Sequence, residues 1–125
     1  KLYLPRGYDP ASLLPRWERY ESLCSHYRYM INFDHHKAVM MVNRESFTDG
    51  RFILLKESSS FTPPMAVIHY EFYDSGTGPA ITPEMSDGML QCIAGHGHLP
   101  FGKTQKPELW NYADNVDTIS FLLKK

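Results

Sequence analysis

Apolar positions recur at helical spacing early in the chain and crowd into short runs later. Residues 1–8 read as an extended lead-in, after which Asp9-Pro10 forms an N-cap followed by proline in the first helical turn. Leu13, Trp17, Tyr20, Cys24, Tyr27 and Ile31 then follow at intervals of three and four, which places them on one face of an α-helix. Pro15 makes the start of that helix irregular or delays it. Arg16, Glu18, Arg19 and Glu21 fall mostly off the stripe and read as its solvated side.

The later runs suggest strands. Lys37–Asn43 ("KAVMMVN") and Arg51–Glu57 ("RFILLKE") flank a loop ending in Asp49-Gly50, the pattern of a β-hairpin. "SSSFTPP" breaks the chain, and Met65–Tyr73 ("MAVIHYEFY") carries the strongest strand signal. Three antiparallel strands are expected from this part. Asp74–Gly88 is rich in Gly, Pro, Ser and Thr and reads as a surface loop with at most a short helix near Pro83–Asp87. Met89–Gly95 reads as another strand, Pro107–Tyr112 as a short helix and Val116–Leu123 ("VDTISFLL") as a final strand. The expected fold is α+β: an N-terminal helix packed on a mostly antiparallel sheet of about five strands.

Composition narrows the class. A chain of 125 residues suits a single domain, and 42% apolar residues can build a core. Thirteen basic residues stand against fourteen acidic ones, so no basic face for nucleic acid is implied. No apolar run approaches the roughly 18–20 residues of a membrane span, and no signal peptide is visible. The two cysteines, Cys24 and Cys92, show neither a disulfide framework nor a zinc spacing. Both are expected to be buried, inert thiols, and a reducing cytoplasm is the simplest location. The first residue is Lys1, which suggests processing or a piece of a longer protein.

Several residues invite chemistry. "FDHHKA" (Phe33–Ala38) contains the Asp-His-His triplet of manganese-dependent phosphoesterases, but the upstream sequence lacks the further ligands that family needs. An Asp34 cap with two exposed imidazoles is the simpler reading. "GHGH" (Gly95–His98) places two histidines at i and i+2, a chelating pair if it lies on a strand, although the alternating glycines favour a loop. A minor reading assembles His35, His36, His96 and His98 into a hydrolytic metal site. Ser58-Ser59-Ser60 lacks the glycine-flanked elbow of a hydrolase nucleophile, and no Gly-rich phosphate loop is present. The stretch "HLPFGKTQKPELWNYADNVDTISFLL" (His98–Leu123) has the turns, aromatics and polar side chains of a binding-site wall.

Four segments in order, "HYRYMINFDHHKAVMMVNRE", "DGRFILLKESSSFTPPMAVIHYEFYDS", "LQCIAG" and "PFGKTQKPELWNYADNVDTISFLL", resemble the C-terminal portion of LuxC-type bacterial acyl-CoA reductases, especially those of Bacteroidetes. The resemblance covers roughly residues 26–123, and the closing run is its most specific part. It implies the end of an aldehyde dehydrogenase-like catalytic domain. The whole enzyme would bind NADPH and reduce the acyl group of an acyl-CoA or acyl carrier through a cysteine thioester. The cofactor domain and the nucleophile would precede this chain, which would be inactive alone. Against the superfamily's Glu-x-Phe-Gly-Pro motif, aligning Phe61 and Pro63 puts Ser59 at the glutamate and Glu57 two residues earlier, so Glu57 is the candidate cofactor contact. The superfamily's Pro-Phe-Gly-Gly becomes Pro100-Phe101-Gly102-Lys103, and Asn111 and Asn115 replace an acid and a glycine of close relatives. Phe101 and Gln105 are the candidate substrate-pocket residues.

A second reading, from another class, is a stand-alone binding or oligomerisation module, which suits the aromatic surplus and bland charge. If the chain is cut from a larger enzyme, an uncovered, apolar strand would recruit a second copy, and "VDTISFLL" and "MAVIHYEFY" are the segments expected to do so.

Overall fold

The computed structural model describes residues 1–74, 76, 78–79, 90–112 and 116–123. The chain forms two compact units, Lys1–Ala80 and Ile81–Lys125. The class is α+β, with helices and a four-stranded mixed sheet.

The first unit holds the sheet. Its strands are β1 (Leu2–Pro5), β2 (Thr48–Asp49), β3 (Leu54–Glu57) and β4 (Val67–Tyr73), in the spatial order β1-β4-β3-β2. The sheet departs from the antiparallel expectation: β4 runs parallel to both β1 and β3, and only β2 and β3 are antiparallel. Leu54 pairs with Val67 and Leu55 with Ile68, so the connection 58–66 must cross back to the start of the sheet. It does so without a helix, in less than the dozen or so residues such a crossover usually takes. Two contacts hold it. The buried His69 of β4 shares a 3.0 Å hydrogen bond between its Nδ1 and the Ser60 carbonyl, and Ser58 N–H donates to the Tyr70 carbonyl.

β1, the segment read as a mere lead-in, is clamped onto the sheet by Lys1. Its ammonium lies 2.6 Å from Glu71 Oε2, 2.6 Å from the Ser59 carbonyl and 4.5 Å from the Phe61 ring centroid, with only 5% of the side chain exposed. The turn expected at Asp49-Gly50 falls just after it: Asp49 ends β2, and residues 50–53 join β2 to β3, with Gly50 N–H donating to the Ile53 carbonyl at 2.8 Å and Arg51 at φ 71. Glycine is required at position 50 because a Cβ would stand 2.9 Å from that carbonyl oxygen and 2.6 Å from Leu14 Cδ2.

The helical stripe is broken. Asp9 caps a 3₁₀ turn at Pro10–Leu13, accepting from Ala11 N–H. A single α-turn, α1 (Leu14–Trp17), and a second 3₁₀ stretch (Glu18–Ser25) follow. His26 then turns extended and starts α2 (Tyr27–Val42), its Nδ1 accepting from Tyr29 N–H. The run "KAVMMVN" is therefore mostly the last turns of α2 rather than a strand. Phe33 and Met40 of α2 bury against Leu54, Ala66 and Val67, with Tyr29, Met30 and Phe47 around them. Leu54 and Leu55 are both fully buried, although they point to opposite faces, which marks β3 as the centre of the sheet.

In the second unit, the expected strand at Met89–Gly95 is reduced to a single bridge between Ala94 and Leu99, and its first residue lies outside the described residues. The expected helix at Pro107–Tyr112 is a turn. Thr118–Leu123 is a helix, α3, not a strand. Asp117 caps it, accepting from Ser120 N–H at 2.9 Å and from Ser120 Oγ at 2.7 Å. The expected helix near Pro83–Asp87 lies outside the described residues. The two segments expected to recruit a second copy are not uncovered edge strands: β4 lies between β1, paired at Tyr70–Tyr73, and β3, paired at Val67–Tyr70, and Thr118–Leu123 is a helix. No described helix is long and apolar enough to cross a membrane.

Candidate functional site

Three successive turns in the second unit fold the chain into an open cleft. Gly102, at φ 81, adopts the left-handed conformation that lets Lys103 N–H reach back to the Pro100 carbonyl at 3.1 Å. Lys106 N–H closes the next turn on the Lys103 carbonyl at 2.9 Å. Asn111 closes the third twice, with its N–H on the Glu108 carbonyl and its side-chain Oδ1 accepting from Glu108 N–H at 2.9 Å. Gln91 Nε2 then donates to the Tyr112 carbonyl at 3.1 Å, tying the end of the turns to the segment carrying Cys92.

The cleft enclosed this way has a volume of about 470 Å³. Cys92, Lys103, Lys106, Glu108, Trp110 and Tyr112 are among its lining residues. Two lysines and one glutamate thus line the same cleft. Among the described residues, no ion pair engages Lys103 or Lys106. Trp110 keeps 68% of its surface exposed. The arrangement supplies mobile positive charge, a flat apolar face and a thiol on a backbone braced by hydrogen bonds.

The three residues read from the sequence as substrate or cofactor contacts, Phe101, Gln105 and Glu57, fall outside this lining, whereas Cys92 lies in it. Phe101 is 83% exposed at the tip of the first turn, and Gln105 is exposed between the two lysines without lining the cleft. Glu57 belongs to the other unit, exposed at the end of β3 and in register with Tyr70. Burial of the Tyr70 ring, with the nearby Glu57 and Asp9 charges, pushes its hydroxyl above the ordinary tyrosine range. Among the described residues, no strand, Gly-rich turn and helix are arranged around Glu57 as a cradle for a dinucleotide phosphate.

The other candidates are also placed. Cys24 and Cys92 are both exposed, against the expectation of buried thiols. His35 and His36 are neighbours on α2 with ring centroids 5.1 Å apart. His96 and His98 are exposed on a loop closed by His98 N–H on the Gly95 carbonyl. Among the described residues, no three His, Cys, Asp or Glu side chains converge closely enough to hold a metal ion. The lysines and Trp110 were missed as site residues because each reads alone as solvated surface. Their one signal was the density of turn formers between Pro100 and Pro107, which curls a short stretch upon itself. No protein-family model, no curated protein and no solved structure matches this chain.

Proposed function

We propose that this chain is the C-terminal segment of a cytoplasmic, NADPH-dependent acyl-CoA reductase that reduces a fatty acyl thioester to an aldehyde. The observation that carries the reading is the closing run from Pro100 to Leu123, together with the order of the three segments before it. Two structural features support it. The parallel pairings of β4 with β1 and β3 suit a piece of a larger α/β catalytic domain. Large apolar side chains such as Val42, Leu109 and Phe121 are more than two-thirds exposed, as on a surface another part of a protein would cover. In this reading the acyl group is carried on a cysteine outside the chain, and Phe101 and Gln105 belong to the wall beside it.

The complete reading frame that encodes this segment should consume NADPH only when acyl-CoA is supplied and should release an aldehyde trapped as its hydrazone. A folded product that oxidises no NADPH with any acyl-CoA of short, medium or long chain overturns the reading. The alternative, a stand-alone binding module, is favoured by one observation: the braced, cationic cleft lies wholly within this chain. A reading frame that ends close to both termini of the 125 residues, whose product binds a ligand without turnover, would select it.

A further inference from the structure

We propose that the cleft of the second unit binds a phosphorylated nucleotide, with the base on Trp110 and the phosphates on Lys103 and Lys106. The proposal stands on the cleft alone and holds or fails separately from the reductase reading.

Charge comes first. Lys103 and Lys106 sit at the two ends of one hydrogen-bonded turn, so both ammonium stems leave the same short loop and line the same space. Neither has an ion-pair partner among the described residues, whereas Lys1, Lys37 and Lys56 are each paired with a carboxylate. Glu108 lines the same cleft and offsets one of the two charges. A compact polyanion that two flexible ammoniums can grip from one side matches this lining.

The second half of the ligand follows from the aromatic wall. Trp110 and Tyr112 line the cleft with the lysines, and the indole is largely uncovered by the protein. An exposed indole beside two lysines offers a stacking platform for a nucleobase, which inorganic phosphate does not use. Thr104 adds a hydroxyl to the lining, and Asn111 keeps an amide nitrogen to donate because its oxygen already accepts from Glu108 N–H. The volume of about 470 Å³ lies inside the usual range for small-molecule sites, roughly 300–1,000 Å³.

The sequence provides its own internal controls. Of the two tryptophans, Trp110 lines the cleft and Trp17 lies in the other unit; of the two cysteines, Cys92 lines it and Cys24 lies in the other unit. Titration of the chain with ADP should quench Trp110 fluorescence saturably and slow iodoacetamide labelling of Cys92, read by mass spectrometry, while labelling of Cys24 is unchanged. The affinity should fall with added salt, because the contacting charges are exposed. Lys103→Gln with Lys106→Gln should weaken ADP by about tenfold or more, and Trp110→Leu by a similar factor, with circular dichroism unchanged. Adenosine and inorganic pyrophosphate should each bind far more weakly than ADP. Equal binding of pyrophosphate and ADP would leave a simple anion site and overturn the proposal, as would equal binding of adenosine. Absence of Cys92 protection at millimolar ADP would overturn it outright.

Discussion

Arg44 sits at φ 55 immediately after α2, where its N–H reaches the Met41 carbonyl and that of Glu45 reaches the Met40 carbonyl. This is the Schellman geometry that closes helices, and glycine is its usual occupant. A left-handed arginine carries roughly 1–2 kcal/mol of strain, partly offset because glycine frees the unfolded chain. Arg44→Gly should therefore stabilise the protein by about 0.5–1 kcal/mol and raise Tm by a few degrees; an unchanged or lower Tm would refute this. Asp49 makes a second prediction. Burial pushes its carboxyl up, but hydrogen bonds from Lys37 and from Arg51 N–H, with the Lys37 charge, outweigh burial and hold it below the ordinary aspartate range. The folded-state value is depressed, so the stabilising contribution is present above the unfolded value, near ~3.9. It is lost as pH falls through the lower, folded value. Carboxyl NMR should find the Asp49 midpoint below that of a free aspartate, and Lys37→Met should move it upward; no movement would show that Lys37 is not the cause.

α2 carries two apolar faces with different fates. Phe33 and Met40 turn onto the sheet and are 3% and 5% exposed. Tyr27, Ile31 and Val42 lie on the opposite side and are exposed. Phe33→Ala should cost about 3–5 kcal/mol, as large aromatic truncations in a core do. Ile31→Lys and Val42→Lys should each stay within about 0.5 kcal/mol of the parent, since neither site is buried. Urea midpoints check both. Similar losses at the two faces would contradict this one-sided packing.

For the molecule as a whole, the uncovered apolar surface has a consequence in solution. Ile31 and Val42 on α2 and Ile119, Phe121, Leu122 and Leu123 on α3 are exposed apolar side chains, the kind of surface that drives association. The chain is expected to self-associate through helix faces rather than by strand addition, because β4 is interior and α3 satisfies its own backbone. Light scattering should give a mass above that of one chain at high concentration. The paired variant Ile31→Lys, Val42→Lys should lower that mass without lowering the urea midpoint. A monomeric parent at crystallisation-like concentrations would end this expectation.

Local chemistry was legible where one residue's own backbone preference decides the outcome. Asp9 capping before Pro10, most of the strand expected at Met65–Tyr73, the loop at Gly95–His98 and the turn at Phe101-Gly102 followed from the sequence, and the turn expected at Asp49-Gly50 lies one step later. So did the α+β class, because strand-like and helix-like runs are both present. The sequence misled where an apolar run fits either period. "KAVMMVN" is helical because Met40 continues the stripe begun by Phe33, and that stripe matters only once Leu54 and Val67 stand opposite it. "VDTISFLL" has strand composition, yet Asp117 and Ser120 supply a cap that propensity does not weigh. Parallel pairing, the burial of Lys1 against Glu71 and Phe61, and the gathering of Cys92, Lys103, Lys106 and Trp110 into one cleft were decided by tertiary structure alone. Each depends on residues distant in sequence or on the sum of several turns, and no local window contains that information.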